Sequence, residues 1–268
     1  RYTRDLSDYI LGGRSLGSFV TAMSAGASDM SGWLLLGLPG AIFAAGISES
    51  WIAIGLILGA WFNWLFIAGR IRVYTEISHN ALTLPDYFTH RFEDRSRLLR
   101  LLSAVIILLF FTIYCASGMV AGARLFEQTF GLSYDLALWA GAAATIIYVF
   151  VGGFLAVSWT DTVQATLMIF ALLLTPVIVM MKLGSFDETL AVIDSININY
   201  SNMFSGTTGI GILSLMAWGL GYMGQPHILA RFMAASSVKA MSPCRSTGLV
   251  PCCNLRRAVW SRWARPVR

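Results

Sequence analysis

From Leu101 to Ala123 the chain carries no charged side chain. An apolar run of about 20 residues is what a helix needs to cross the hydrocarbon of a bilayer. With its flanks this run covers roughly 99–123, and comparable runs fall near 19–46, 50–69, 134–155, 159–182 and 207–232. Backbone N–H and C=O groups in lipid must be satisfied within the segment, which selects helices. The runs are too uniformly apolar for the in–out alternation of a β-barrel. Charged residues make up only 12% of the 268, where a soluble domain is nearer a quarter charged. The expected fold class is an all-α polytopic membrane protein with about six transmembrane helices.

The net charge of +5 belongs to the tail. Six of the 19 basic residues follow Pro243, and the last acid is Asp194. Up to Met241, 13 basic residues face 14 acidic ones, so no basic surface for nucleic acid is expected. Three of the four cysteines, Cys244, Cys252 and Cys253, also lie in the tail, at a spacing that fits no zinc pattern. Lys/Arg asymmetry sets orientation. Arg1, Arg4 and Arg14 precede the first run, six arginines lie within 70–100, and Arg231 and Lys239 end the last run. These segments are expected to be cytoplasmic, and Gly184–Ser205 external. Within 70–100, Thr83 before Pro85 and Asp86 reads as a helix start, with a turn at "FEDRS". His79 and His90 read as surface residues. Gly55 with Gly59, and Gly118 with Gly122, have the spacing that lets helices approach closely.

Ionisable groups at membrane depth are costly and line pathways or meet partners. Asp29 lies in "SAGASDMSGWLLLGLPG", among Ser24, Ser28, Ser31, Gly26 and Gly32. Such a stretch holds a regular helix poorly, and unwinding frees carbonyls, which are hard ligands for sodium. A second interruption is "AWGLGYMGQPHILARF", with Gly219, Gly221, Gly224 and Pro226. Paired interruptions point to a transporter's central site. Trp218 and Tyr222 are one helical turn apart. "GLGYMG" matches G-x-G-x-x-G but follows no strand, so it reads as no dinucleotide site. There is no H-E-x-x-H or Walker loop, and no enzyme is expected. Tyr114 needs a partner for its hydroxyl. Asp161 reads first as an acid in a helix's opening turn, with Thr160 or Ser158 as its cap.

The stretches "SAGASDMSGWLLLGLPG", "ALTLPDYFTHRFED", "FFTIYCASGMVAGARLFE", "GGFLAVSWTDTVQATLMIFALLLTPVIV" and "WGLGYMGQPHILARFMA" resemble the sodium:solute symporter family, and "SDMSGW" its proline-importing members. The resemblance runs from about Asp8 to Ala235. It implies the first half of an inverted-repeat fold of five plus five helices, with the first and sixth core helices unwound. It implies a multi-pass protein of a bacterial cytoplasmic (inner) membrane that couples sodium entry to uptake of L-proline, with sodium co-transported and no nucleic-acid partner. By position it implies sodium-site roles for Asp29, Ala27, Met30, Ser31 and Gly32. Ser31, Trp33, Tyr114, Trp218 and Tyr222 would contact substrate. Arg14, Asp161, Gly37 and Pro226 would serve coupling or gating, which reverses the first reading of Asp161.

A partial symporter domain over 1–235 and an unrelated basic tail over 236–268 are therefore expected. The opening segment looks cut. The abrupt change after Met241 reads as a shifted frame or a shortened product, and a chain of this extent is expected to be inactive alone. Symport of another small solute, a non-transporting sensor and an inert fragment are the alternatives.

Overall fold

A computed structural model describes residues 5–241. The tail, with Cys244, Cys252 and Cys253, lies outside the described residues. Every element is helical, and the only β-type contact among the described residues is a bridge between Leu16 and Ala235. The bridge is carried by Leu16 N–H to Ala234 O at 3.2 Å and Ser236 N–H to Leu16 O at 2.9 Å.

In chain order, α1 is Leu6–Leu11, α2 Ser18–Asp29, α3 Leu38–Ala45, α4 Ser50–Phe62, α5 Gly69–Ile77 and α6 Leu84–Arg91. Then come α7 (Leu98–Phe130), α8 (Tyr134–Leu183), α9 (Phe186–Ile196), α10 (Gly209–Met216) and α11 (Pro226–Ala234). Among the described residues, three helical stretches are long and apolar enough to cross a membrane: Ile47–Ile77, Leu98–Phe130 and Tyr134–Leu183. The first is built from α4, a π-helical turn over Asn63–Ala68, and α5.

The fourth and fifth expected spans join in α8, whose 50 residues would make about 75 Å of straight helix, more than twice the hydrocarbon thickness. Gly153 breaks it, with φ 55° and ψ −150°, a conformation open to glycine. A Cβ there would lie 2.8 Å from the Tyr9 ring, so α1 packs against the break. This break sits further from Asp161 than expected. Ser158 and Thr160 consequently lie inside the helix and cap nothing: Ser158 donates to Phe154 O at 2.9 Å and Thr160 to Val157 O at 2.9 Å.

The first and sixth runs are interrupted as the glycines predict. Beyond Asp29 the chain leaves the helix at Met30 (φ −74°, ψ 92°) and resumes in a π-helical turn over Trp33–Gly37. After α10 the chain tightens to a 3₁₀ segment over Ala217–Gly224, then extends at Gln225 (ψ 113°) before Pro226 opens α11. Pro at the first turn removes only a donor that has no intrahelical partner.

The core surrounds α11, where Phe232 is 0% exposed and Met233, Ala234 and Ala235 are buried beside Leu11, Leu16 and Ile71. By contrast Phe150 is 79% exposed, and most of α7 and α8 shows apolar side chains outward, as a lipid-facing surface does. The Gly55/Gly59 stripe receives the 3₁₀ segment: a Cβ at Gly55 would lie 2.5 Å from Met216 Cα, and one at Gly59 would overlap Gly219. The Gly118/Gly122 pair receives nothing, since a Cβ at either meets no atom within 4 Å among the described residues.

Thr83 caps α6, accepting from Asp86 N–H at 3.3 Å. Asp94 holds the start of α7, accepting from Ser96 N–H at 2.9 Å and Leu99 N–H at 2.8 Å. His79 and His90 are exposed, with rings 4.7 Å apart.

Candidate functional site

The two helix interruptions meet. The Tyr222 hydroxyl, on the 3₁₀ segment, donates to Asp29 Oδ2 at the end of α2. Asp29 is half-buried and Tyr222 is 5% exposed. Next to the break, Ala27 O accepts from Met30 N–H at 3.1 Å; a carbonyl has two lone pairs, so one remains. Ser31 Oγ accepts from Leu34 N–H at 3.4 Å, starting the next helical turn. Gly32 allows α7 to approach, since a Cβ there would lie 2.6 Å from Ala121 Cβ.

Asp29 and Tyr222 line a cavity of about 50 Å³ that also touches Ala25, Gly26, Asn63 and Trp64. An indole just after the first break and one at the start of the 3₁₀ segment reach across. The rings of Trp33 and Trp218 stack with centroids 4.3 Å apart and 24° between planes. Tyr114 instead stacks on His227, 5.4 Å away, with Phe111 beside both. Both ring nitrogens of His227 are buried.

A second polar cluster ties α2, α8 and α11 together. Asp161 Oδ2 takes an ion pair from Arg231 at 3.0 Å and hydrogen bonds from the Ser24 and Ser28 hydroxyls at 2.7 and 3.4 Å. The two charged side chains are only 14% and 11% exposed. Two charges this deep persist when they are paired and hydrogen-bonded.

Arg14 lies apart from both. Its guanidinium donates to Asn80 Oδ1, Thr75 Oγ1, Met233 O and Ala81 O at 2.8–3.1 Å. Burial, then the neighbouring Arg72, hold Arg14 below the ordinary arginine value, while Glu76 pulls it back up. Arg72 is itself buried and donates to Ala235 O at 2.5 Å and to Glu76 at 2.6 Å. The two arginines thus close off the carbonyl end of α11, where cations are favoured. Gly37 lies in the π-helical turn against the Trp33 ring, and Pro226 starts α11 beside a wider groove of about 460 Å³ near Arg70 and Arg91.

Segments that the charge pattern puts on one side meet one another. Arg14 meets 75–81 and 233, whereas Ile47 N–H donates to Tyr200 O at 2.8 Å and Trp51 Nε1 to Met203 O at 3.0 Å. The residues that sequence reading passed over are Asn63, Arg72, His227 and the pairing role of Arg231. Asn63 was readable as a lone amide in "WFNWLF", a polar side chain inside an apolar run. Arg231 gave only a topology signal, because its partner is 70 residues away.

The chain matches the sodium:solute symporter family over residues 9–252, a range that reaches past the described residues. It is 73% identical over 237 residues to a sodium/proline symporter of Salmonella typhimurium and 72% identical to one of Escherichia coli, in each case 88% of this chain and 47% of the relative. It is 53% identical over 247 residues to the high-affinity proline transporter PutP of Bacillus subtilis, 92% of this chain and 52% of that protein. The chain spans about half the length of these relatives.

Proposed function

The chain belongs to the sodium:solute symporter family, and from that premise we propose that its residues build a sodium- and proline-binding portion of an importer that couples sodium entry to L-proline uptake across a bacterial cytoplasmic membrane. The observation that carries the reading is the bond between Asp29 and Tyr222, which joins the two interrupted helices at one point. The names of the relatives supply the substrates.

In this reading the Asp29 carboxylate draws sodium to the break, where the carbonyls of Ala27 and Met30, with Ser31 and Gly32, offer oxygen and room. A bound cation takes the Asp29 lone pairs that the Tyr222 hydroxyl leaves free. That holds Tyr222 in place and orders the adjoining wall. The stacked Trp33 and Trp218, with Ser31 and Tyr114, give the pyrrolidine ring apolar faces. The N-terminal end of α11 favours the proline carboxylate. Because both ligands order the same breaks, each strengthens the other by an equal factor. Asp161 with Arg231, and Arg14 with its four acceptors, hold the inward side shut, and Gly37 and Pro226 mark where the helices turn. Residues 70–100 and 231–239 face the cytoplasm. The reading contains no catalytic step.

Labelled L-proline uptake into proteoliposomes tests it, using the chain joined to the remaining length of the Salmonella typhimurium relative. An inward sodium gradient is expected to drive accumulation, and Asp29→Asn to abolish it. Uptake indifferent to sodium, or unaffected by Asp29→Asn, overturns the reading.

A further inference from the structure

Asn63 occupies the first position of the π-helical turn that follows α4, and such turns recur at functional sites. It is 1% exposed. Its Nδ2 donates to Tyr222 O at 2.9 Å. A backbone carbonyl only accepts, so this bond fixes which way the amide points. The other end, Oδ1, is buried and has no hydrogen-bond partner among the described residues. A buried acceptor without a partner is unusual and costs free energy. Asn63 lines the same cavity as Asp29 and Tyr222.

We infer that Asn63 is a cation ligand: Oδ1 and the Asp29 carboxylate together hold one alkali cation in this cavity. The inference rests on the sodium reading above and adds a residue on a third element. The polar side chains that line the cavity are a carboxylate, an amide, a phenol and the Trp64 indole, and an amide oxygen with a carboxylate is a donor set for a hard cation. A single carboxylate neutralises a monovalent ion, whereas a divalent one would leave net charge at membrane depth. About 50 Å³ suffices for one ion with a water. The Asp29 carboxylate has lone pairs beyond the one Tyr222 occupies. Tyr222 also links the two ligands, accepting from Asn63 through its carbonyl and donating to Asp29 through its hydroxyl. A cation seated between them therefore pins α2, the end of α4 and the 3₁₀ segment at once.

Trp64 borders the cavity and is one of nine tryptophans, so its signal is read as the difference from a Trp64→Phe variant. The chain, joined to the remaining length of the Salmonella typhimurium relative and held in lipid nanodiscs, is titrated with sodium chloride, choline chloride holding ionic strength constant, while tryptophan emission is followed. The original chain is expected to give a saturable response to sodium and none to choline. Asn63→Leu is expected to raise the half-saturating sodium concentration about tenfold or more, as loss of a metal's supporting groups commonly does. Asn63→Asp keeps an oxygen there while giving up the amide donor, and is expected to keep the response. A midpoint left in place by Asn63→Leu overturns the inference. So does equal weakening by both variants, which would make Asn63 a brace for Tyr222 alone. If Asn63→Leu does not fold, Asn63→Asp decides, and a weakened response in it counts against the assignment. A missing sodium response in the original chain is a distinct failure: it overturns the sodium reading itself, and the ligand assignment with it.

Discussion

Replacing Arg231 with methionine is expected to destabilise the protein by about 3–5 kcal/mol, the cost of removing one partner from a buried ion pair. The figure follows from what remains. Asp161, 14% exposed, loses its cation at 3.0 Å and keeps only the Ser24 and Ser28 hydroxyls. Those donors put the expected cost at the lower end, about 3 kcal/mol. The guanidinium also gives up its bonds to His227 O at 2.8 Å and Ser24 Oγ at 3.3 Å, and methionine fills most of its apolar volume. Adding Asp161→Asn removes the stranded charge, so the double variant is expected to recover at least about 1 kcal/mol relative to the sum of the single variants. Unfolding by sodium dodecyl sulfate in mixed micelles, followed by circular dichroism, measures all four proteins. Single-variant costs below about 0.5 kcal/mol that simply add would refute the claim that this pair is a closed, desolvated contact.

Glycine substitutions separate the two small-residue stripes. Gly59→Ala forces a methyl group into the Gly219 backbone and is expected to cost about 1–3 kcal/mol in the same micelle assay, while Gly122→Ala faces open space and is expected to stay within about 0.5 kcal/mol. Asp94 is held below the usual carboxylate range, first by the Ser96 hydroxyl and then by Leu99 N–H. Its contribution is therefore complete above the unfolded carboxylate value of about 3.9 and is lost as pH falls through the lower folded value. Amide exchange at Leu98–Arg100 is expected to quicken in that acid range, and Asp94→Ala to make it fast at neutral pH. Arg14→Ala removes four hydrogen bonds that tie 75–81 to the end of α11, and is expected to speed maleimide labelling of an Ala81→Cys variant, where an unchanged rate would contradict the closing contact.

What could be read from the sequence was local. The cap at Thr83 needs only Pro85 and Asp86 beside it, and the breaks near Asp29 and Gly224 follow from clustered glycines and a proline. Asp29 was identifiable because a carboxylate in an apolar run has few reasons to be there. What escaped was tertiary. Nothing near Arg231 announces that its partner is Asp161, and nothing near Asn63 says that Tyr222 takes its amide. Local sequence alone makes Asp161 the opening of a helix. The actual break at Gly153 lies a full two turns earlier, and a glycine next to another glycine does not reveal which one adopts the unusual conformation. The stripes of glycine looked alike because spacing reports a face and not what covers it.

Equilibrium binding of labelled L-proline at a series of fixed sodium concentrations, paired with sodium binding at fixed proline, tests the central claim most directly, on the same chain joined to the remainder of its relative. If the two ligands order one site built on the Asp29–Tyr222 junction, sodium lowers the proline Kd by some factor and proline lowers the sodium Kd by that same factor, with both effects lost in Asp29→Asn. Proline binding that is tight without sodium, or a coupling that survives Asp29→Asn, would contradict it.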